Sequence, residues 1–175
     1  MKNIKLHIPE LEELWFREQC MSDPKTMSYN AGYDVSFDGY HRETGCIDFP
    51  KEKWQEWFNN KLNNPNFYYA YIVDVETNQF VGYCNFNKNP ETNKATMGIV
   101  IKDEYRGQGY MRPAMLALIE KAKEYGVEYL TDSVPENRVV ALKVFYDLGF
   151  VKTKEFISKK FDTQEIVAEI EKKIK

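Results

Sequence analysis

The sequence predicts a mixed α/β fold, and three observations lead to that prediction. A run dense in aromatic and β-branched residues, Phe67 to Val75, is followed after a short turn by a second run of the same kind, which is typical of a β-hairpin. After Gly109 the apolar residues recur at intervals of three and four, which is typical of helices. From there the predicted elements alternate between strand and helix, the order of a mixed α/β layout.

The first strands form an antiparallel meander in this prediction. Phe67 to Val75 and Gln79 to Asn87 are the two arms of the hairpin, joined by a turn at Glu76-Thr77-Asn78. A further turn at Asn89-Pro90-Glu91 leads into a third strand, Thr96 to Ile101, whose apolar end indicates burial on both faces.

Two helices and two strands follow the meander. The first helix lies between Gly109 and Gly126, and Gly126 stands where a helix C-terminal stop belongs. A short strand, Tyr129 to Val134, precedes a second helix that ends at Gly149. A last strand then runs from Phe150 to Ile157.

Two further helices are predicted outside this unit. One opens at Pro50 and places Trp54, Trp57, Phe58 and Leu62 on one face. The other starts at Asp162, with Glu165 three residues on at the spacing of a capping box. Its apolar stripe could meet a second subunit in a homodimer or pack on its own domain; the stripe is formed by Ile166, Val167, Ile170 and Ile174.

Length and composition exclude several classes of function. At ~150 residues per domain, 175 residues predict one domain, 1–175. The 24 basic and 27 acidic side chains leave a net charge of -3, so we expect no nucleic-acid partner. The longest uncharged apolar run, Phe67 to Val73, is far shorter than the ~20 residues of a membrane helix, so we expect no membrane partner. Acidic residues close to Met1 interrupt any secretory signal, which predicts a cytoplasmic protein.

The cysteines predict neither a disulfide framework nor a metal site. Cys20, Cys46 and Cys84 are odd in number, widely spaced and without a Cys-x-x-Cys pair. Cys84 could be imagined as a nucleophile, but the only histidines, His7 and His41, lie in no partnering motif. A buried, inert thiol is the simpler interpretation.

The most informative stretch runs from Gly98 to Met111, where a buried strand leads through a glycine-containing loop directly into a helix. Helix N-termini leave N–H groups without intrahelical partners, and Gly107 and Gly109 would let a phosphate approach those donors closely. No Gly-Lys-Ser/Thr follows, which excludes a P-loop, and Arg112 occupies the last glycine position of the dinucleotide fingerprint. The stretch therefore predicts an anion cradle of another kind.

This cradle resembles the diphosphate-binding motif of the GNAT acetyltransferases, Arg/Gln-x-x-Gly-x-Gly/Ala. Arg106 and Gly109 fill its first two fixed positions, whereas Met111 replaces the last small residue. The resemblance extends from about Phe67 to Ile157 and includes Leu148-Gly149-Phe150 at the end of the second helix.

The resemblance implies a GNAT-like α/β (α+β) fold, with a mixed, mostly antiparallel central sheet and helices on both faces. It divides the chain into an acceptor-side region at 1–66, an acetyl-CoA-binding core at 67–157 and a C-terminal helix at 158–175. It also implies an acetyl-CoA co-substrate whose pantetheine arm lies along Ile99, Val100 and Ile101. The predicted contacts to the rest of the coenzyme are Arg106, Gly107, Gln108, Gly109, Tyr110, Met111 and Asn137.

In that family the acceptor amine attacks the acetyl group directly, so no metal or covalent intermediate is required. The resemblance places a base at Asp132, five residues before Asn137, with a solvated strand-end aspartate as the alternative. The usual position of the acid tyrosine holds Phe145, and Tyr146 is one residue late, so Tyr146 is either the acid or a packing or coenzyme contact. Thr96 stands where relatives often carry a second acid.

The segment from Cys20 to Pro50 would overhang the acceptor site. It combines five acids, only two basic residues and several aromatics, which suits a cationic amine or, equally, a solvated loop pinned by aromatic contacts. A noncatalytic acyl-CoA-binding module is the main alternative to an acetyltransferase, and a structural dimerisation protein is a third. The acids are Asp23, Asp34, Asp38, Glu43 and Asp48, and the aromatics are Tyr29, Tyr33, Phe37, Tyr40 and Phe49.

Overall fold

The computed structural model describes residues 2–175 and is organised around one seven-stranded sheet. The strand order is β1-β2-β3-β4-β5-β7-β6, and every neighbouring pair is antiparallel except β4 and β5. The strands are β1 (Ile4–His7), β2 (Phe67–Asp74), β3 (Phe80–Lys88), β4 (Lys94–Ile101), β5 (Tyr129–Pro135), β6 (Val151–Lys160) and β7 (Thr163–Lys173).

Helices cover both faces of this sheet, as predicted. The helices are α1 (Trp15–Ser22), α2 (Pro24–Met27), α3 (Trp54–Trp57), α4 (Met111–Glu124) and α5 (Val139–Asp147). On one face α4 and α5 bury their apolar stripes in the main core, which includes Met115 and Phe145. On the opposite face α1 packs on the aromatic residues of β2 and β3, through Phe16 against Tyr71 at 5.0 Å between ring centroids. We call this second face the acceptor face.

A wedge opens in the sheet between β4 and β5. Their parallel pairing comprises three residue pairs and ends at Thr96 opposite Thr131. Beyond that point β4 continues to Ile101 paired with β3 alone, and β5 continues to Pro135 paired with β7 alone. The facing edges of the two strands are therefore free of each other over the second half of β4.

Most of the predicted elements are confirmed within a few residues. The hairpin, the third strand, both core helices and the strand between them occur where the periodicity places them. The helix predicted from Pro50 is also present, but it begins as a 3₁₀ turn at Lys51–Lys53 and widens into a π-helical turn at Phe58–Leu62.

The predicted C-terminal helix at 158–175 is wrong. Lys160 ends β6, Phe161 and Asp162 form a tight turn with Phe161 at φ 52°, and β7 returns between β5 and β6. The apolar residues also fit a strand, in which every second side chain lies on the same face. Ala168 and Ile170 are two residues apart on β7, and both are buried in the main core. Hydrogen bonding to strands on both sides decides between the two, since a central strand satisfies its backbone groups on both edges.

Most of the residues proposed for a dimer contact pack within the chain's own domain. Val167 and Ile170 are buried, and Ile174 packs against the main core. Ile166 alone of the stripe is largely exposed. Within residues 2–175, no helix combines the length and apolar character needed to cross a membrane.

Candidate active site

The loop that enters α4 forms a row of free backbone donors. Within residues 2–175, the N–H groups of Gly107 to Arg112 donate to no protein acceptor, and Tyr110 caps α4 without a side-chain hydrogen bond. Gly107 and Gly109 have φ of 72° and 88°, and a Cβ added to either would meet nothing within 4 Å. Open space therefore lies above N–H groups at the positive end of a helix, the arrangement that binds phosphates.

Two side chains of this loop hold its shape. Arg106 donates to the carbonyl of Ile101 at 3.0 Å and to the carbonyl of Thr26 at 2.7 Å, so it ties the loop to the end of β4 and to α2. The Gln108 amide donates to the carbonyl of Glu104 at 2.8 Å. Both side chains are engaged with backbone groups, whereas the N–H groups of the row have no protein acceptor within residues 2–175.

The side chains at the start of α4 point into the protein. Tyr110 is buried, and its hydroxyl donates to the carboxylate of Asp74, beside which lies the ammonium of Lys2 at 3.6 Å. Met111 is half-buried and packs against the main core. Tyr110 and Met111 thus anchor the helix start, and their backbone faces the open space.

The three residues predicted along the pantetheine arm line one side of the wedge. Ile99 and Ile101 pack toward the main core, whereas Val100 is buried on the acceptor face, opposite Tyr83 of β3. Past Thr96 none of the strands in the described part of the chain pairs with this stretch of β4 on its β5 side. Its outward N–H and C=O groups are available to an extended ligand lying in the wedge.

Asp132 is the first residue of β5 beyond the last pair with β4. It is half-buried on the same face of the strand as Leu130 and Val134, and it accepts the N–H of Ser133 at 2.8 Å. Burial raises the pKa of Asp132 from 3.8 to about 7, although the Ser133 N–H and the charge of Arg138 oppose that rise. A carboxyl group with this pKa is partly ionised at neutral pH and can accept a proton there.

Tyr146 and Asn137 are exposed side chains near the two ends of α5. Tyr146 is 43% exposed, and neither the Tyr146 hydroxyl nor the Asn137 side chain makes a hydrogen bond to any group within residues 2–175. Phe145, at the usual acid position, is buried against Phe150 with 5.1 Å between ring centroids. The structure therefore places the loop before α4 and the wedge at the same end of β4 and Asp132 at the start of the wedge, and Tyr146 is exposed with no hydrogen bond to any of these groups.

The acceptor face contains a half-buried arginine that the sequence did not indicate. The guanidinium of Arg17 lies 4.4 Å from the ring centroid of Trp57, 4.9 Å from that of Phe49 and 5.3 Å from that of Tyr69. Within residues 2–175 no carboxylate pairs with it, and its Nε has no hydrogen-bond partner. Arg17 links α1 and α3 to the sheet through cation–π contacts.

The acids of the Cys20 to Pro50 segment are engaged in local contacts on the surface. Asp34 pairs with Arg42 at 3.0 Å, Asp38 with Lys53 at 2.9 Å and Asp48 with His41 at 2.8 Å. Asp23 caps α2 by accepting the N–H groups of Lys25 and Thr26. These carboxylates lie on exposed loops instead of converging on one point.

The thiols and the acidic side chains form no second reactive centre in the described chain. Cys20, Cys46 and Cys84 are buried and unpaired, and burial raises the pKa of Cys20 to about 12 and that of Cys84 further still. Thiols so hard to ionise are poor nucleophiles. Residues 2–175 contain no group of three or more His, Cys, Asp or Glu side chains arranged to hold a metal ion.

Comparison with known proteins places this chain in a family. The family model described as the GNAT acetyltransferase domain matches residues 5–151, so the chain belongs to that family. Its members transfer an acetyl group from acetyl-CoA to an amine, and this chain is a GNAT-type N-acetyltransferase. No curated protein sequence matches the chain.

Solved structures share the fold at low sequence identity. Spermidine N-acetyltransferase from Vibrio cholerae, in complex with CoA and spermine, is 15% identical with a TM-score of 0.79, covering 97% of this chain and 95% of that one. A protein described as a putative phosphinothricin N-acetyltransferase is 16% identical with a TM-score of 0.74, covering 99% of both chains. The predicted fold class is thereby confirmed.

Proposed function

We propose that acetyl-CoA lies across the sheet, with its pyrophosphate on the N–H row of Gly107 to Arg112 and its pantetheine arm in the wedge. The observation that carries this proposal is the position of two features, because the N–H groups without protein acceptors in residues 2–175 and the divergence of β4 from β5 lie at the same end of β4. An extended, anion-headed ligand satisfies both. In this proposal Arg106, Gln108 and Tyr110 shape the site, whereas Ile99, Val100 and Ile101 contact the arm.

The chemical step in this proposal is direct attack of the acceptor amine on the acetyl carbonyl. A C–N bond forms, the carbonyl oxygen becomes an oxyanion, and the C–S bond then breaks to release CoA. A backbone N–H of β4 directed at that oxygen can contribute ~3 kcal/mol to transition-state stabilisation. The protein supplies orientation and a preorganised donor, and we propose no metal.

Proton transfer is assigned to Asp132 and Tyr146. Asp132 receives the proton of the incoming ammonium, directly or through a water molecule, and its pKa of about 7 supports that role. Tyr146, exposed on α5, is the proposed proton donor to the departing thiolate. Because a thiol pKa is ~8.5, the thiolate is also a tolerable leaving group without an acid.

The acceptor is proposed to be a cationic amine that reaches the wedge from the acceptor face. A neighbouring structure contains spermine, a polyamine, and the aromatic side chains of this face suit an ammonium group by cation–π contact. A cytoplasmic location, a homodimer and the absence of nucleic-acid and membrane partners stay predictions from the sequence.

Turnover on a panel of amines tests the proposed function. The purified protein is mixed with acetyl-CoA and each amine, and released CoA is measured with a thiol reagent. Release that depends on both the protein and an amine is expected. Tight binding of acetyl-CoA with no release on any amine would instead indicate the noncatalytic acyl-CoA-binding module.

A further inference from the structure

A small cavity opens on the acceptor face beside the wedge. Its volume is about 280 Å³, and its floor includes Ser133 and Pro135, which lie on β5 beyond the last pair with β4. Tyr29 and Tyr33 form one wall. Ser133 and Pro135 face the opposite side of β5 from Asp132, because successive side chains of a strand alternate between its two faces. The cavity therefore borders the wedge on the acceptor face, the side from which the acceptor is proposed to approach, and Asp132 lies across β5 from it.

Arg138 is the cation that lines this cavity. It is the N-cap residue of α5, and its guanidinium carbon lies 5.5 Å from the ring centroid of Tyr29. Within residues 2–175 no carboxylate lies within ion-pair distance of it, whereas Arg42 of the acceptor-side region pairs with Asp34. An arginine with a free planar fork beside a cavity is suited to bidentate binding of a carboxylate or phosphate group.

Charged side chains of both signs lie around the cavity. The ammonium of Lys160 lies 5.4 Å from the ring centroid of Tyr33 and donates to the carbonyl of Tyr29 at 3.4 Å. The carboxylate of Glu165 is near, but it accepts the hydroxyl of Tyr33. The carboxyl group of Asp132, on the other face of β5, also lies within reach of the charge of Arg138. The hydroxyl groups of Ser133 and Ser158 add neutral hydrogen-bonding groups to the lining, in which Arg138 is the charged side chain.

We propose that the acceptor carries an anionic group of the carboxylate class, which Arg138 holds in this cavity while the amine of the same molecule faces the thioester. The inference rests on the proposed function and narrows it, since it selects an amphoteric amine such as an amino acid over a purely cationic polyamine. Three acids of the Cys20 to Pro50 segment are paired with local basic side chains, which weakens their repulsion of an anionic acceptor. These acids are Asp34, Asp38 and Asp48.

Matched pairs of acceptors that differ only by a carboxylate test the inference. Lysine is compared with 1,5-diaminopentane, ornithine with 1,4-diaminobutane, and phenylalanine with 2-phenylethylamine, by kcat/KM for CoA release. We expect the carboxylate-bearing member to be favoured about tenfold to a hundredfold in at least one pair, the range for a charge-assisted hydrogen-bonded pair. Equal values in every pair, or preference for the diamines, would overturn the inference.

Three variants assign the preference to Arg138. Arg138→Gln should bring the ratio within each pair close to one, and Arg138→Lys should restore part of it because the charge returns without the fork. Lys143→Gln removes a charge one turn along α5 that is paired with Asp147, so it should leave the ratio unchanged. A tenfold weaker Kd for acetyl-CoA in Arg138→Gln, with the ratio intact, would show that Arg138 binds the coenzyme instead.

A binding measurement separates this inference from the proposed function. Each amine is titrated into CoA-saturated protein, and the shift in melting temperature is recorded for the wild type and Arg138→Gln. The carboxylate-bearing member should stabilise the wild type more than its partner, and the difference should vanish in the variant. Such selective binding without turnover would contradict the proposed function alone, whereas absence of selective binding would contradict the inference.

Discussion

Replacing Asp132 with asparagine should lower turnover and raise stability in the same protein. Asparagine keeps the shape of the side chain but cannot accept the proton of the incoming ammonium. We expect turnover at neutral pH to fall by about a hundredfold or more while the Kd for acetyl-CoA barely changes. In the wild type, kcat/KM should rise with pH through an apparent pKa near 7, since burial holds the pKa of Asp132 at about 7.

The stability change follows from the same pKa. The folded protein raises it from 3.8 to about 7, so ionisation of Asp132 is penalised in the folded state and free in the unfolded one. The protonated form of Asp132 is favoured in the folded state, so its contribution to the free energy of unfolding is fully present below about pH 4 and is lost as the pH rises to about 7. The full shift corresponds to about 4 kcal/mol. Because the carboxyl is only half-buried, solvent reduces this, and we expect Asp132→Asn to be more stable by about 2 kcal/mol above pH 7, roughly 4–8 °C in Tm.

Two assays check these expectations together. Urea unfolding of both proteins at pH 4, 6 and 8 should give a stability difference that grows from near zero toward its maximum. CoA release at each pH should give a turnover deficit that shrinks as the acceptor deprotonates in solution, near pH 10 for a lysine-like amine. Wild-type turnover in Asp132→Asn across the pH range would refute the base assignment, and an unchanged unfolding free energy would refute the raised pKa.

Three further predictions concern other parts of the molecule. Gly109→Val should weaken acetyl-CoA binding at least tenfold in calorimetry while the circular dichroism spectrum stays native, because the added side chain fills the open space over the N–H row. Unchanged affinity would show that the pyrophosphate binds elsewhere. Tyr146→Phe should reduce kcat by less than tenfold, and a larger loss without a change in pH profile would show a structural role. Ile170→Ala should cost about 2–5 kcal/mol in urea unfolding, as expected for a buried core side chain on β7, and a loss below 1 kcal/mol would contradict its central position.

The elements that the sequence predicted well are those whose signal is local. Consecutive aromatic and β-branched residues predict the hairpin of β2 and β3, and a continuous apolar stripe at helical spacing, followed by Gly126, predicts α4. The loop and the helix start after it were predictable for the same reason, since Gly107, Gly109 and the start of α4 are contiguous, and anion binding by this loop stays a prediction. Its Arg106 side chain was harder to assign, because its carbonyl partners include Thr26, far away in the sequence.

The features that the sequence did not predict depend on long-range contacts. The stripe of Ile166, Val167, Ile170 and Ile174 has a spacing compatible with a helix, and only the two neighbouring strands select β7. Likewise no local pattern marks Arg17 or Arg138, since each is defined by aromatic side chains brought from other elements.

A crystal structure of the protein with bound CoA tests the central claim most directly. The account predicts the pyrophosphate within hydrogen-bond distance of several N–H groups between Gly107 and Arg112, and the pantetheine arm between β4 and β5 with its sulfur near Asp132. CoA bound at any other surface, with the wedge empty, would contradict it.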